Sequence, residues 1–266
     1  MERDALIGAA VEAGHAIMPM FRDAALDVWQ KSDCSPVSEA DMRANQVLRE
    51  VLLYRERADY GWLSEESADD PDRTEKARTF IVDPIDGTRA FVKGDDQFTV
   101  CLAICEDGDL LASVIYAPAR GELYAAAKDM GATLNGRPIA ASLREDVEGS
   151  AMIGQKRMFQ HPSWPKPWPP MEITYKNSTS YRMALIASGA FDATMALVPK
   201  ADWDAAPGTL IAQEAGARVS DHLGRSFEFC RKNPVQPGLV CAAAPLYPRL
   251  IQRLSHLPSD LRSIQT

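Results

Sequence analysis

The chain has few cysteines, and their spacing fits no zinc-binding motif. The five are scattered and odd in number: Cys34, Cys101, Cys105, Cys230 and Cys241. No Cys-x-x-Cys pair and no mixed Cys/His motif occurs, which argues against a zinc site. We therefore expect small buried thiols in a reducing cytoplasm.

The chain also lacks an excess of positive charge and any long apolar run. Its formal net charge is −8, whereas binding to a nucleic-acid backbone requires a basic face. No apolar run approaches membrane-spanning length, and Met1–Asp4 leads directly into an amphipathic pattern, so we expect no signal peptide and no membrane partner. A protein of this charge that acts on phosphates needs local cations, supplied by Lys, Arg or bound metal ions.

Helical spacing of apolar residues dominates the beginning of the chain. It covers residues 3–26, where Pro19 should bend or interrupt the helix, and then residues 38–53. A short strand at residues 61–63 and a polar loop at residues 67–78 follow. Apolar segments separated by turn residues then predict an antiparallel meander, over residues 98–105, 110–116 and 122–127.

The pattern changes near residue 150, where strands and helices begin to alternate. The predicted strands cover residues 151–154, 172–175, 193–198, 219–220 and 239–243, and the predicted helices cover residues 179–188, 205–215 and 246–255. We therefore predict an α/β (α+β) protein with an α+β domain at 1–148 and an α/β domain at 149–266.

Residues 161–170 (HPSWPKPWPP) hold five prolines and two tryptophans, a composition that excludes a helix or a central strand. A rigid extended loop is the expected form. Three roles fit it: a surface connection whose Trp rings pack on the body, a lid near a substrate, or a Pro-rich ligand for another domain.

Two carboxylates stand at the end of an apolar strand in the segment FIVDPIDGTRAF, residues 80–91. Asp83 precedes a proline and stays extended, and Asp86 is followed by Gly-Thr at the start of a helix with free N–H groups. Converging carboxylates need a cation between them, and a hard divalent metal with oxygen ligands, including the Ile85 carbonyl, meets that need. The same residues are also typical of a turn and a helix cap, so this stretch alone leaves both interpretations open.

Further acids lie at comparable positions. Glu65 and Glu66 follow a short apolar strand, Asp204 begins an apolar helix, and Asp41 lies in the first turn of the second predicted helix. Taken singly, each is also typical of a solvated loop edge or a helix cap. Their order along the chain is more informative than any one of them.

That order is SEES, then DPIDGT, then WDAAPG. It resembles the inositol monophosphatase family, the magnesium-dependent, lithium-sensitive phosphomonoesterases. The resemblance covers nearly the whole chain, including SPVSEAD before the first acids, the meander VIYAPARGELYAA with GATLNGRPI, and STSYRMALIASGAFDA. It implies a layered α/β/α/β/α fold and is compatible with a homodimer.

The resemblance also implies a metal site. Glu65, Asp83 and the Ile85 carbonyl would hold a first Mg²⁺. Asp83, Asp86 and Asp204 would hold a second, and a third, weaker Mg²⁺ would contact Glu65 through waters.

The same family pattern implies roles for residues around the metals. Thr88, together with Asp41 or Glu65, would orient and deprotonate the attacking water. Backbone N–H groups of Gly87 and Thr88 would hold phosphate oxygens. Glu66 would contact the metal ligands without binding a metal itself.

The substrate is less constrained. The strand before Trp203 has Leu197 where inositol-specific members resembling this chain carry a carboxylate, while Asp202 and the segment GTRAF resemble members that hydrolyse adenosine 3′,5′-bisphosphate. Trp203 could stack on a base or simply pack in the core. Polar candidates for the pocket wall are Ser178, Thr179 and Ser180, and basic candidates for a second phosphate are Arg89, Lys93, Lys176, Arg182 and Lys200.

We therefore predict a cytoplasmic Mg²⁺-dependent phosphomonoesterase that acts on a small phosphorylated metabolite, and we favour a 3′(2′),5′-bisphosphate nucleotide. Inositol 1-phosphate, histidinol phosphate and fructose 1,6-bisphosphate are the alternative substrates. A regulatory binding protein on the same fold is the alternative of another class, although the complete set of acids argues against that as its sole role.

Overall fold

A computed structural model describes residues 2–32 and 34–257. The helices in this part of the chain are α1 (Glu2–Ile17), α2 (Glu39–Arg49), α3 (Thr88–Val92), α4 (Lys156–Phe159), α5 (Thr179–Ala187), α6 (Asp202–Glu214) and α7 (Tyr247–Leu254). The strands are β1 (Val28–Gln30), β2 (Pro36–Ser38), β3 (Gly61–Ser64), β4 (Arg78–Asp86), β5 (Thr99–Glu106), β6 (Asp109–Ala117), β7 (Glu122–Ala127), β8 (Ala132–Leu134), β9 (Arg137–Pro138), β10 (Ala151–Ile153), β11 (Glu172–Thr174), β12 (Ala193–Ala196), β13 (Lys200–Ala201), β14 (Ala217–Ser220), β15 (Val235–Gln236) and β16 (Leu239–Ala243).

The first helix is shorter than its apolar periodicity predicts, and the second changes from an α-helix to a π-helix before its predicted end. The first ends at Ile17, and Pro19 lies in a 3₁₀ turn over Met18–Met20, because proline cannot donate the next helical hydrogen bond. The second continues beyond Arg49 as a π-helical segment, Glu50–Glu56. The β1–β2 hairpin between these helices was not predicted.

Two sheets form the framework. The larger has seven strands in the order β3-β4-β5-β6-β7-β8-β9, with β3 and β4 parallel and every other pair antiparallel. The predicted meander corresponds to β5, β6 and β7, and the sheet extends it by β4 and β3 on one side and by β8 and β9 on the other. The smaller has the order β11-β10-β12-β16-β14, with β10 parallel to both of its neighbours and the other pairs antiparallel.

The helices and sheets alternate in layers. One face of the larger sheet packs on α1 and α2, its other face packs on α5 and α6, and these two helices in turn contact the smaller sheet. The far face of the smaller sheet is covered by α7. The predicted α/β/α/β/α fold is therefore confirmed, whereas the domain division at residue 148/149 stays a prediction.

Side chains of β4 alternate between two of these layers, as a strand requires. Phe80 and Val82 belong to the core under α1 and α2, and Ile81 belongs to the core under α5 and α6. Asp83, the next residue in the alternation, therefore belongs on the α5/α6 side.

The proline-rich segment lies against α4 and α7. Trp164 is buried and donates its indole N–H to the Met158 carbonyl at 2.6 Å, and its ring meets that of Trp168 edge to face at 5.0 Å. Arg253 lies over the Trp168 ring at 4.5 Å. These contacts favour the surface-connection interpretation among the three.

The structure also bears on the expectations about membrane spans and about the cysteines. Among residues 2–32 and 34–257, no helix combines the length and the apolar character needed to cross a membrane. Four cysteines are buried or half-buried, as expected, but Cys34 is exposed.

Candidate active site

A β-bulge in β4 brings the first two carboxylates together. Asp83 pairs with Cys101 and Asp86 pairs with Thr99, so β4 has one more residue than β5 between these pairs. Without the bulge, residues three apart would point to opposite faces of the sheet. The extra residue turns Asp86 to the face of Asp83, toward α5 and α6.

The third carboxylate comes from the helical layer between the sheets. The helix α6 begins at Asp202, three residues earlier than predicted, so Asp204 lies within its first turn rather than at its cap. Pro207 is inside the helix and not in the first turn. Carboxylate oxygens of Asp83, Asp86 and Asp204 lie within 4.8 Å of one another.

The electrostatics of this cluster are unfavourable without a cation. Both Asp83 oxygens are buried and have no hydrogen-bond partner. Burial, followed by the charges of Glu65 and Asp86, raises the pKa of Asp83 well above its ordinary value. Burial, followed by the charge of Asp204, raises the pKa of Asp86 to about 6. Orphaned buried oxygens on converging carboxylates fit a hard divalent metal ion.

Ser178 and Ser180 orient Asp86. The Ser178 hydroxyl and the Ser180 backbone N–H both donate to Asp86 Oδ2, each at 2.7 Å. Ser178 is fully buried, caps α5 by accepting from the Tyr181 N–H, and contacts Thr99. The structure therefore gives Ser178 and Ser180 a supporting role and does not support the predicted contact between Ser178 and substrate.

Glu65 and Glu66 share a cation that the sequence analysis missed. Lys31, at the end of β1, donates to Glu65 Oε1 at 2.8 Å and to Glu66 Oε1 at 2.7 Å. Glu65 lines the same cleft as Asp83 and Asp204, as predicted. Burial raises the pKa of Glu66 to about 7. A lysine in an unpredicted hairpin carries no sequence signal of this pairing.

Thr88 and Asp41 form the predicted pair. The Thr88 hydroxyl lies 2.8 Å from Asp41 Oδ1 and 3.2 Å from the Ile85 carbonyl oxygen. The other oxygen of Asp41 accepts from the backbone N–H and the hydroxyl of Ser38, at 2.8 and 2.6 Å. Burial raises the pKa of Asp41. Of the two acids considered for Thr88, the structure therefore pairs it with Asp41.

Gly87 permits the turn between the bulge and α3. Its φ is +102°, a conformation that residues with a Cβ rarely adopt. A Cβ at this position would lie 2.8 Å from the Gln97 carbonyl oxygen.

Asp202 does not line the cleft. It is fully buried, and its carboxylate accepts from Gln236 Nε2 at 2.8 Å and from the Cys230 N–H at 3.0 Å. The structure thus does not support the predicted substrate contact, because the side chain joins the start of α6 to the segment 228–236. Asp202 therefore gives no support to a nucleotide substrate.

Leu197 and Trp203 also face the protein body. Leu197 is buried in the core beneath α7, while its neighbours Ala196 and Val198 line the cleft. Trp203 packs against the core between the two sheets, which supports the core interpretation over base stacking.

The cleft has two connected chambers. The inner one, about 310 Å³, contains the carboxylates together with Gly87, Thr88 and Arg89. The outer one, about 300 Å³, is lined by Met158, Arg182, Met195, Ala196 and Val198 among others. Residues common to both are Arg89, Tyr175, Asn177, Thr179 and Lys200.

The clustered carboxylates lie in this cleft, although a larger cavity exists elsewhere. A cavity of about 510 Å³ is lined by residues such as Arg73, Cys105 and Phe229. Within the described ranges, however, Asp83, Asp86 and Asp204 form the only cluster of three potential metal ligands.

A layered fold with clustered carboxylates beside a Thr–Asp pair defines a class of metal-dependent phosphatases, and comparison with known proteins agrees. The model of the inositol monophosphatase family matches residues 2–258. The chain belongs to this family, whose members are hydrolases of phosphate monoesters.

Relatives with different substrates are about equally similar. The chain is 31% identical to a histidinol-phosphatase of Chlorobaculum parvum, over 81% of this chain and 84% of the relative. It is 30% identical to an inositol-1-monophosphatase of Rhizobium meliloti, over 84% and 88% of the two chains. It is 29% identical to the 3′(2′),5′-bisphosphate nucleotidase CysQ of Escherichia coli O157:H7, over 88% and 97%.

A solved structure supports the same fold. The extragenic suppressor protein suhB from Bartonella henselae superimposes with a TM-score of 0.81 at 26% identity, covering 94% of this chain and 97% of that chain. The relatives therefore establish the family and leave the substrate to be argued from the cleft.

Proposed function

We propose that the protein is a Mg²⁺-dependent phosphomonoesterase whose preferred substrate carries a second anionic group, with a 3′(2′),5′-bisphosphate nucleotide as the first candidate. The observation that carries the choice of substrate is the lining of the outer chamber. Among its described lining residues, Arg89, Arg182 and Lys200 are cationic and none is acidic.

The metal ligands in this proposal are five. They are Glu65, Asp83, the Ile85 carbonyl, Asp86 and Asp204. Two to three bound Mg²⁺ ions would neutralise phosphate charge and lower the pKa of a coordinated water. The orphaned oxygens of Asp83 support the assignment.

Thr88 and Asp41 handle the proton of the attacking water. The Thr88 oxygen accepts the proton of the water while its own hydroxyl proton passes to Asp41 Oδ1, 2.8 Å away. Burial makes Asp41 a better proton acceptor than an exposed aspartate, because it raises the pKa. The bonds from Ser38 fix the carboxylate for this transfer.

The leaving group would extend into the outer chamber. Arg89 is exposed at the junction of the two chambers, and Lys200 lies beside Thr179, whose hydroxyl accepts from Nζ at 3.1 Å. Both can meet a second phosphate. Lys93 and Lys176 line neither chamber, so these two of the five basic candidates are set aside.

Two of the three alternative substrates fit this lining less well, whereas fructose 1,6-bisphosphate also carries a second phosphate. The cationic ammonium group of histidinol phosphate would meet Arg89 and Lys200. Inositol 1-phosphate brings no second anionic group to Arg89 and Lys200, and Ala196 and Val198 offer its hydroxyls no side-chain hydrogen bonds. A purely regulatory role would not require the complete acid cluster.

Phosphate release in Mg²⁺ tests the proposal with three substrates: adenosine 3′,5′-bisphosphate, inositol 1-phosphate and histidinol phosphate. We expect the nucleotide to give the highest kcat/KM, and Arg89→Gln to lower that preference. Lys93→Gln is the matched control, since it removes a nearby charge that does not line the cleft. A preference for histidinol phosphate or inositol 1-phosphate would overturn the choice of substrate. No Mg²⁺-dependent release from any substrate would overturn the reaction.

A further inference from the structure

Tyr175 presents an exposed aromatic ring where the two chambers meet. It follows the edge strand β11, lines both chambers and is 49% exposed. Other large apolar side chains of the cleft, such as Met158 and Met195, are buried, whereas the Tyr175 ring is exposed to a molecule that enters the cleft. Its position next to Asn177 and Thr179 places it along the wall that leads to the carboxylates.

The segment carrying this ring is held by a half-buried cation. The Arg182 guanidinium lies 5.2 Å from the centre of the Tyr175 ring. It also donates to the Lys176 carbonyl at 2.7 Å and to the Asn177 carbonyl at 3.1 Å. Burial lowers the pKa of Arg182. Because two of its donors are engaged with backbone carbonyls, Arg182 holds the segment 175–177 as well as lining the outer chamber.

Part of the lining of the outer chamber is apolar and polarisable. Met158 and Met195 line it, together with Ala196 and Val198. Thioether groups make favourable contacts with aromatic rings. The phenol ring and the two methionines give a flat ring surfaces to pack on, while Gln155, Asn177 and Thr179 can meet its polar edge.

We propose that Tyr175 is a stacking platform for the planar base of the substrate, with Arg182 as the residue that positions the platform. This inference rests on the proposed function and makes it more specific. The scissile phosphate occupies the inner chamber, the second phosphate meets Arg89 and Lys200, and the base enters the outer chamber against Tyr175. Trp203, the aromatic residue that the sequence suggested for this role, is packed in the core.

The test compares a substrate with a base and one without. KM and kcat are measured for adenosine 3′,5′-bisphosphate and for glycerol 2-phosphate with wild type, Tyr175→Ala and Tyr175→Phe. Stacking of a base on an aromatic residue predicts that Tyr175→Ala raises KM for the nucleotide about tenfold or more. KM for glycerol 2-phosphate should stay within about twofold, and Tyr175→Phe should keep the wild-type values, because the ring is retained. Equal changes for both substrates, or none for the nucleotide, would overturn the platform.

A binding measurement separates this inference from the proposed reaction. Calorimetry with adenosine 3′,5′-bisphosphate uses the Thr88→Ala background, in which turnover is slowed. Binding that is weakened about tenfold by Tyr175→Ala supports the platform even if wild type does not hydrolyse the nucleotide, in which case only the reaction fails. Absence of nucleotide binding overturns the platform itself.

The positioning role of Arg182 has its own readout. If Arg182 acts through Tyr175, Arg182→Gln raises KM for the nucleotide and not for glycerol 2-phosphate. The double variant then shows no further increase over Tyr175→Ala alone. Additive increases would contradict positioning, and parallel losses of kcat for both substrates would indicate a structural defect instead.

Discussion

Asp86→Asn should stabilise the metal-free protein while abolishing catalysis. In the folded protein the pKa of Asp86 rises from 3.8 to about 6. A raised carboxyl pKa means that the folded state holds the proton more tightly than the unfolded state. Ionisation of Asp86 therefore lowers the free energy of unfolding. This loss is absent below about pH 4, grows between pH 4 and pH 6, and is complete above pH 6.

The size of the effect follows from the same values. A difference of about two pH units between the folded and unfolded pKa corresponds to about 3 kcal/mol, as an order of magnitude. Asparagine mimics the neutral acid and keeps one oxygen to accept from Ser178 and Ser180, so it should avoid most of this cost. For a chain of this size, about 3 kcal/mol corresponds to a rise in Tm of roughly 6–10 °C.

Thermal unfolding of both proteins in EDTA, at pH 4 and at pH 8, measures this difference. We expect equal Tm values at pH 4 and a higher Tm for Asp86→Asn at pH 8. Adding Mg²⁺ at pH 8 should raise the Tm of wild type and have little effect on the variant. A variant that is no more stable than wild type at pH 8 in EDTA would refute the electrostatic account of the cluster. Phosphate release near the wild-type rate would refute the metal assignment.

Three further predictions concern the turn, the proton path and the metals. Thr88→Ala should lower kcat about 100-fold or more at saturating Mg²⁺ while Thr88→Ser restores much of it; equal rates for the two variants would contradict a role for the hydroxyl. Gly87→Ala should lower Tm much more than Gly121→Ala. Both glycines have positive φ, but only at Gly87 would the new Cβ meet a backbone oxygen, 2.8 Å away. Similar losses of Tm in the two variants would argue against the clash. Li⁺ should inhibit Mg²⁺-dependent phosphate release by competing with a metal ion, which a titration of initial rates with Li⁺ measures. Insensitivity to Li⁺ would argue against the metal site that the family resemblance implies.

The sequence predicted the acid cluster because its geometry is largely local. Asp83 and Asp86 are separated by one turn-forming proline and one residue, and the short motif that holds them also specifies the glycine turn after them. The bulge itself was not predicted, although its consequence, the convergence of the two carboxylates, was. Asp204 and Asp41 were placed in the site by the order of the motifs and the family resemblance, because an acid in the first turn of a helix is by itself also typical of a cap.

The substrate residues were harder to predict because their side-chain directions depend on tertiary contacts. In an extended segment, a shift of one residue exchanges the two faces, which is why Leu197 lies in the core while Ala196 and Val198 face the cleft. Asp202 was read as a substrate contact, but its partners are Gln236 and Cys230, which are distant in sequence.

Lys31 and Tyr175 gave no sequence signal for a different reason. Each lies next to a short strand at the edge of the fold, where no periodicity marks it. Only the assembled layers place Lys31 against Glu65 and Tyr175 along the cleft.

The origin of the three clustered carboxylates on two different elements has a mechanical consequence. Asp83 and Asp86 are joined by a few covalent bonds of one strand, so their separation cannot change without breaking the pairing between β4 and β5. Asp204 belongs to α6, which packs on the sheet through small side chains such as Ala205 and Ala206. A slight shear between helix and sheet therefore moves Asp204 relative to Asp83 and Asp86, and distant substitutions that shift α6 should tune the site through this distance.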